Sequence, residues 1–300
     1  MEAPFPHAGE LAALATACCW TVSALAFQAA GRRAGSLPVN LIRLVMAAFL
    51  LGAFTWAARG TPLPTDASLH TWVWLSLSGL VGFTIGDLCL FRAFVVVGAR
   101  VSMLLMTLVP IFTTVLGFLV MHEVLTAKEL AGMALTVAGV SSVVLERRRD
   151  VNGLVERLPA SGILLGLGGA AGQALGLVLA KYGMGSYSAV ACTQIRVLAG
   201  IVGFAVVFTA TRRWPRVRAA LADRRAMTST GIGAVFGPFV GVSLSLLAVQ
   251  YTEAGVAATL MALVPVLIIP VSMILYRERV AWPAAVGAVV AVCGSALLFL

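Results

Sequence analysis

Apolar residues run through this chain in stretches about as long as a bilayer is thick, and the polar residues collect between them. A helix needs about 20 mainly apolar residues to cross the hydrocarbon core, and from Ala8 to Leu300 one such stretch follows another. The pattern predicts ten helical spans, near 8–30, 37–58, 71–91, 99–121, 127–145, 161–182, 187–211, 227–249, 254–276 and 282–300. Short connections carrying Arg, Pro or Gly separate most of them.

The spans form two series of five. Leu108-Val109-Pro110, Glu123, Gly132 and Gly139 recur without a gap, 155 residues on, as Leu263-Val264-Pro265, Glu278, Gly287 and Gly294. Ala93, Ala99, Val101, Leu105 and Met106 likewise match Ala248, Ala254, Val256, Leu260 and Met261. Pro, Glu and Gly carry the weight, because chance matches among Leu and Ala mean little in so apolar a chain. The division is a first five-helix repeat over 1–145, a basic connection over 146–160 and a second repeat over 161–300. Five spans per repeat is an odd number, so the second enters the membrane in the opposite sense. The expected fold is therefore an all-α integral membrane protein of ten transmembrane helices in two inverted five-helix repeats. Such duplication is the signature of transporters whose site lies between the repeats.

Composition narrows the class. The chain is 60% hydrophobic and 11% charged, with a mean hydropathy of +1.00, against about 25% charged residues in soluble domains. The net charge of +9 lies between the spans and reads as a topogenic signal, not as a nucleic-acid surface. Cys18, Cys19, Cys89, Cys192 and Cys293 all fall inside spans without Cys-x-x-Cys spacing and are expected as buried, inert thiols. His7, His70 and His122 do not cluster, and neither a zinc-protease motif nor a nucleophile elbow is present. No metal or cofactor is expected. Gly166-Leu-Gly168-Gly169-Ala-Ala-Gly172 imitates a dinucleotide-binding string but lies inside an apolar span with no strand before it. Ala24-Leu25-Ala26 imitates a leader cleavage site, yet no basic segment precedes it.

The charges test the inverted arrangement. Connections after odd-numbered spans hold Arg32, Arg33, Arg92, Arg100, Arg147, Arg148, Arg149, Arg157, the arginines between Arg212 and Arg225, Arg277 and Arg279. Connections after even-numbered spans hold only Arg59, Lys128 and Lys181. All the strongly basic connections thus fall on one side, which the positive-inside rule places in the cytoplasm, with both termini outside.

At its Pro-Glu-Gly pattern the chain resembles the drug/metabolite transporter superfamily, and within it the ten-helix EamA-type transporters. Pro110, Glu123, Gly132 and Gly139 match the pattern in the first half, Pro265, Glu278, Gly287 and Gly294 in the second. The resemblance covers nearly the whole chain and implies tandem five-helix repeats, a bacterial inner membrane and export of small metabolites. It also implies cytoplasmic termini, against this chain's own charges, which carry the assignment here.

Few polar residues lie within the spans. Arg43 and Arg196 occupy related positions two turns into spans 2 and 7, and Asp87 lies near the depth of Arg43, so the two are expected to neutralise each other. The position matching Asp87 is Val242, so Arg196 has no inherited acid and is a candidate to bind a carboxylate or phosphate through its guanidinium fork. Snorkelling to the interface and pairing with Glu253 are its alternatives. Trp20 and Gln173, near matching positions of spans 1 and 6, are the next substrate-binding candidates, with Gln194 and Tyr251 beside them and Gln28 and Gln250 behind. Pro110 and Pro265 are expected to kink their spans near the midplane and to serve gating. Glu123 and Glu278 are assigned to ion pairing at helix ends. The glycines of spans 5, 6 and 10 are packing faces that hold the two halves, or two protomers of a homodimer, together.

These readings make the chain a secondary transporter working by alternating access on a small-molecule substrate in a lipid bilayer, amino acids leading. Nothing in the sequence points to ATP use, and the mid-span acid of a small multidrug exporter is missing from span 1. Proton coupling through Asp87 stands beside facilitated diffusion and exchange. A scaffold or sensor would have a packed interior. A membrane-embedded transferase would need clustered acids, histidines or a metal site that this sequence lacks.

Overall fold

The computed structural model describes residues 6–97, 102–103, 105–146, 159–276 and 282–299, and among them every regular element is helical. Arg100, Arg147, Arg148, Arg149, Arg157, Arg277, Glu278 and Arg279 lie outside the described residues, as does most of the connection expected over 146–160. Among the described residues, six helices are long and apolar enough to cross a membrane: Ala8–Ala34, Ser36–Arg59, Leu69–Ala93, Ala160–Met184, Ala189–Ala210 and Arg224–Tyr251. The protein is an all-α, multi-pass membrane protein.

Helices α1 (Ala8–Ala34) and α2 (Ser36–Arg59) meet at Gly35, whose φ of 83° an L side chain would strain. The third span begins as α3 (Leu69–Gly79), capped by Ser68 Oγ accepting from Thr71 N. It widens into a π-helical turn (Leu80–Gly86) and continues as α4 (Asp87–Val96). Next come α5 (Val109–Met121) and α6 (Ala127–Glu146). Thr126 and Glu129 exchange side-chain-to-backbone bonds at the start of α6, a capping box.

The second series opens with α7 (Ala160–Met184) and α8 (Ala189–Ala210). A short helix, α9 (Trp214–Ala222), follows where only a basic connection is expected from the sequence. Its Val217 and Ala220 are buried, and it packs on α2. The eighth span is α10 (Arg224–Ala234), a second π-helical turn (Val235–Phe239) and α11 (Val240–Tyr251). The chain ends with α12 (Ala254–Met261), α13 (Val264–Tyr276) and α14 (Trp282–Leu297).

The prolines correct one expectation. Pro110 and Pro265 do not kink a continuous helix; each stands in the first turn of a new one. The chain turns at Thr107-Leu108 and again at Ala262-Leu263 before α5 and α13 begin. A first-turn proline forfeits no helical hydrogen bond, because the N–H it lacks has no partner there. The interruption supplies the bend that a kink was expected to supply.

Glycines set the closest packing. α6 lies along α14, where a Cβ on Gly139 would meet Gly287 O at 2.6 Å and one on Gly132 would meet Gly294 O at 2.9 Å. α7 lies along α3 and α4, with Gly172 against Gly86 and Gly176 against Gly82. α1 lies along α10 and α11, and α2 along α8. The expected glycine faces thus join the two halves of one chain. Cys192 is buried as expected, but Cys18 and Cys293 face outward. A thiol is apolar enough for lipid, so its position in a span does not fix the face it takes.

Candidate functional site

A cavity of about 330 Å³ lies where the two series meet, a size within the range of small-molecule sites. From the first series it is lined by Trp20, Ser23 and Phe27 of α1, Arg43 of α2, and Phe83 and Asp87 around the first π-helical turn. From the second come Gln173 and Leu177 of α7, Arg196 of α8, and Pro238 and Val242 around the second π-helical turn. The interrupted spans complete the wall with Met106 and Thr107 before α5, Met261 at the end of α12 and Ala262 just beyond it. A π-helical turn shifts the faces of the helix on either side of it. Here each such turn brings side chains of its span to the cavity wall.

One side of the cavity is charged yet neutral in sum. Asp87, at the first residue of α4, forms an ion pair through Oδ2 with Arg43 Nη2. Its Oδ1 accepts from Gln173 Nε2 at 2.9 Å, and the same amide reaches Gly82 O at 3.3 Å. The Arg43 guanidinium also lies over the Phe27 ring, 5.1 Å from its centroid. Both carboxylate oxygens of Asp87 are therefore engaged.

Arg196 differs in its lack of an acid. The residue is 5% exposed, its Nε, like that of Arg43, has no hydrogen-bond partner, and its guanidinium makes no ion pair among the described residues. Its guanidinium lies over the Phe83 ring, 4.9 Å from centroid to Cζ. Gly82 lies beside it, where a Cβ would stand in ordinary contact, 3.5 Å from Arg196 Nη2. Neither snorkelling nor pairing with Glu253 describes this side chain. Glu253 Oε2 instead lies 3.3 Å from Thr252 Oγ1.

Trp20, Gln173, Arg43, Asp87, Arg196 and Pro265 thus all reach the cavity. Gln194 and Tyr251 do not line it. Gln194 is buried between the halves, donating to Pro62 O at 2.7 Å. Gln250 donates to Gly185 O and Tyr187 O at the end of α7, and Gln28 is exposed. Pro110 is buried outside the cavity, where its neighbour Val109 contributes instead. Sequence reasoning passed over Phe27, Phe83, Met103, Met106 and Met261, because apolar residues facing lipid and apolar residues facing a cavity are the same residue types. Among the described residues no group of His, Cys, Asp or Glu converges to hold a metal.

Around the ends of α5, α7 and α11, polar contacts join the halves. Glu123, just beyond α5, pairs with Lys181 near the end of α7 and accepts from Ala254 N at the start of α12, at 3.0 Å. Lys181 Nζ donates to Thr252 O at 2.7 Å, and Thr252 Oγ1 donates to Glu10 Oε1 at 3.1 Å. Nearby, Arg59 pairs with Asp66 and donates to Tyr187 Oη at 3.1 Å, while Tyr187 Oη donates to Asp66 Oδ1 at 2.7 Å. The Tyr187 hydroxyl, ahead of the Arg59 charge, holds the Asp66 carboxyl below the usual carboxylate range. Burial pushes the Tyr187 phenol up.

The EamA-like transporter family matches residues 7–145 and, a second time, residues 160–300. No curated protein matches the chain. The crystal structure of another protein, 17% identical, covers 96% of this chain and 94% of its own length with a TM-score of 0.76. At that identity the likeness speaks for the fold.

Proposed function

The chain belongs to the EamA-like transporter family, and from that premise we propose that it exports small organic metabolites, amino acids and related compounds first among them, by alternating access between two inverted five-helix repeats. As a member of a transporter family it is not an enzyme. The observation that carries the mechanism is the cavity walled by both halves of the chain. Three further features support the inverted arrangement. The two π-helical turns begin at Leu80 and Val235, with the spacing that separates Pro110 from Pro265. Spans 4 and 9 both break just before those prolines. The packing of α1 on α10 and α11 has its counterpart in α7 on α3 and α4.

In this reading the arginine-rich face lies in the cytoplasm of a bacterium, in its inner membrane, and the protein works on its substrate without a cofactor. The scaffold alternative called for a packed interior, and the cavity speaks against it. The test is flux in proteoliposomes, with radiolabelled amino acids and small organic anions offered with and without an imposed pH gradient. Saturable flux of one class is the expected result. Absence of flux across the panel, from protein shown to be folded, would overturn the reading.

A further inference from the structure

We propose that the ligand held between the halves is a monoanionic carboxylate with an apolar body, its carboxylate taking at Arg196 the place that Asp87 takes at Arg43. The inference rests on the reading of the cavity as the transport site; it narrows that site to a charge class and puts carboxylates without an ammonium group ahead of the zwitterionic amino acids.

Three pairs of cavity residues correspond between the halves. Arg43 and Arg196 stand as far apart in sequence as Trp20 and Gln173, and Asp87 and Val242 follow the spacing of Pro110 and Pro265. All six line the one cavity. Exchanging the halves turns the set Arg43, Asp87 and Gln173 into Arg196, Val242 and Trp20. The cation is kept, while an isopropyl group stands where the carboxylate was and an indole where the amide was. In the first set the cation has its carboxylate, and the carboxylate takes a second hydrogen bond from the amide. The second set is a buried guanidinium in apolar surroundings, without its anion.

Burying a cation without a partner is costly, and a guanidinium fork matches a carboxylate bidentately. The ionised side chains among the described lining residues are Arg43, Asp87 and Arg196, so the cavity carries one net positive charge. A monoanion neutralises it. A phosphate monoester brings between one and two negative charges at neutral pH, more than a single fork offsets. An ammonium group would need Asp87, whose two oxygens are already held by Arg43 and Gln173. The rest of the ligand meets Trp20, Phe27, Phe83, Leu177 and Met261, which calls for an aromatic or branched aliphatic body.

The test uses the full chain purified in detergent at fixed ionic strength, with 3-phenylpropanoate, L-phenylalanine, 2-phenylethylamine and inorganic phosphate as probes. The three organic probes share a body and differ in charge. Binding is read from the shift of the thermal unfolding midpoint with probe concentration. The expected result is a Kd for 3-phenylpropanoate at least about tenfold below the others, in line with one charge-assisted hydrogen-bonded pair. Arg196→Gln should abolish that preference. Val242→Asp should also abolish anion binding, yet unfold at or above the parent's midpoint, because the new carboxylate pairs with Arg196 from within. Equal affinity for the zwitterion or the amine, or anion affinity unchanged in Val242→Asp, would overturn the proposal. Anion-selective binding without flux in proteoliposomes would sink the transport reading and leave the charge class standing. Flux of L-phenylalanine that survives Arg196→Gln would do the reverse.

Discussion

At the scale of single residues, charge partnership decides what each buried polar group does. Asp87 and Arg43 depend on each other, so removing one leaves the other buried and uncompensated. Asp87→Asn is therefore expected to destabilise the protein by about 3–5 kcal/mol, measured as a lower unfolding midpoint in detergent. Arg43→Gln combined with Asp87→Asn should recover part of that loss, because two neutral amides leave no orphan charge. Asp66 makes a second prediction, in the connection between α2 and α3. Its carboxyl is held low chiefly by the Tyr187 hydroxyl, so the folded state binds fewer protons than the unfolded state near the ordinary Asp value. Its contribution is complete above about pH 4 and disappears as the pH falls through the lower folded value. An Asp66→Asn protein should show a flatter loss of thermal stability below about pH 4 than the parent. The Arg43–Asp87 meeting was legible in the sequence, since two opposite charges at one depth in lipid have little choice but to pair. The fate of Gln194 was not, because an amide serves equally well for a ligand and for a backbone carbonyl such as that of Pro62.

At the scale of elements, hydropathy reports how much apolar chain there is but not where the backbone changes register. The interruptions before Pro110 and Pro265 and the two π-helical turns leave no mark on an apolar run, because each is a matter of which carbonyl an N–H reaches, and α9 falls in a basic stretch too short and polar to read as a span. Glycine spacing was a better guide, and it makes the packing testable. Gly139 sits where a methyl group would press on Gly287 O and the Ala291 backbone. Gly139→Ala should separate α6 from α14 at a cost of about 1–3 kcal/mol. Gly231, inside α10, has nothing within 4 Å of a would-be Cβ. There the same substitution removes only the helix penalty of glycine and should stabilise by about 0.5–1 kcal/mol. Opposite shifts of the unfolding midpoint are the expected outcome. Two shifts of the same sign would mean that the α6–α14 contact does not limit stability.

At the scale of the whole molecule, the cavity and the polar contacts lie at different depths. Phe27 stands in the last third of α1, Arg43 two turns into α2 and Asp87 past the middle of its span, all toward the side that holds Arg32, Arg33 and Arg92. At the other face, Glu123, Lys181 and Thr252 tie the end of α5 to the end of α7 and to the junction of α11 and α12. Under the proposed alternating-access cycle these contacts would form a latch that must part before the cavity opens on that side. A half-buried ion pair of this kind contributes about 1 kcal/mol, and a bias of 1–2 kcal/mol is a change of about 5–30-fold in population. Glu123→Gln should weaken the latch without touching the cavity wall, since Glu123 does not line it. The reporter is Ser245→Cys, a small substitution at the wall, in a chain whose five native cysteines are replaced. A membrane-impermeant thiol reagent, offered from the latch side of oriented vesicles, should label it about 5-fold faster or more when the latch is weakened. Labelling from the arginine-rich side should slow in step, because a population gained by one state is lost by the other. Faster labelling from both sides at once would mean general loosening of the fold, and the latch would have to be sought elsewhere.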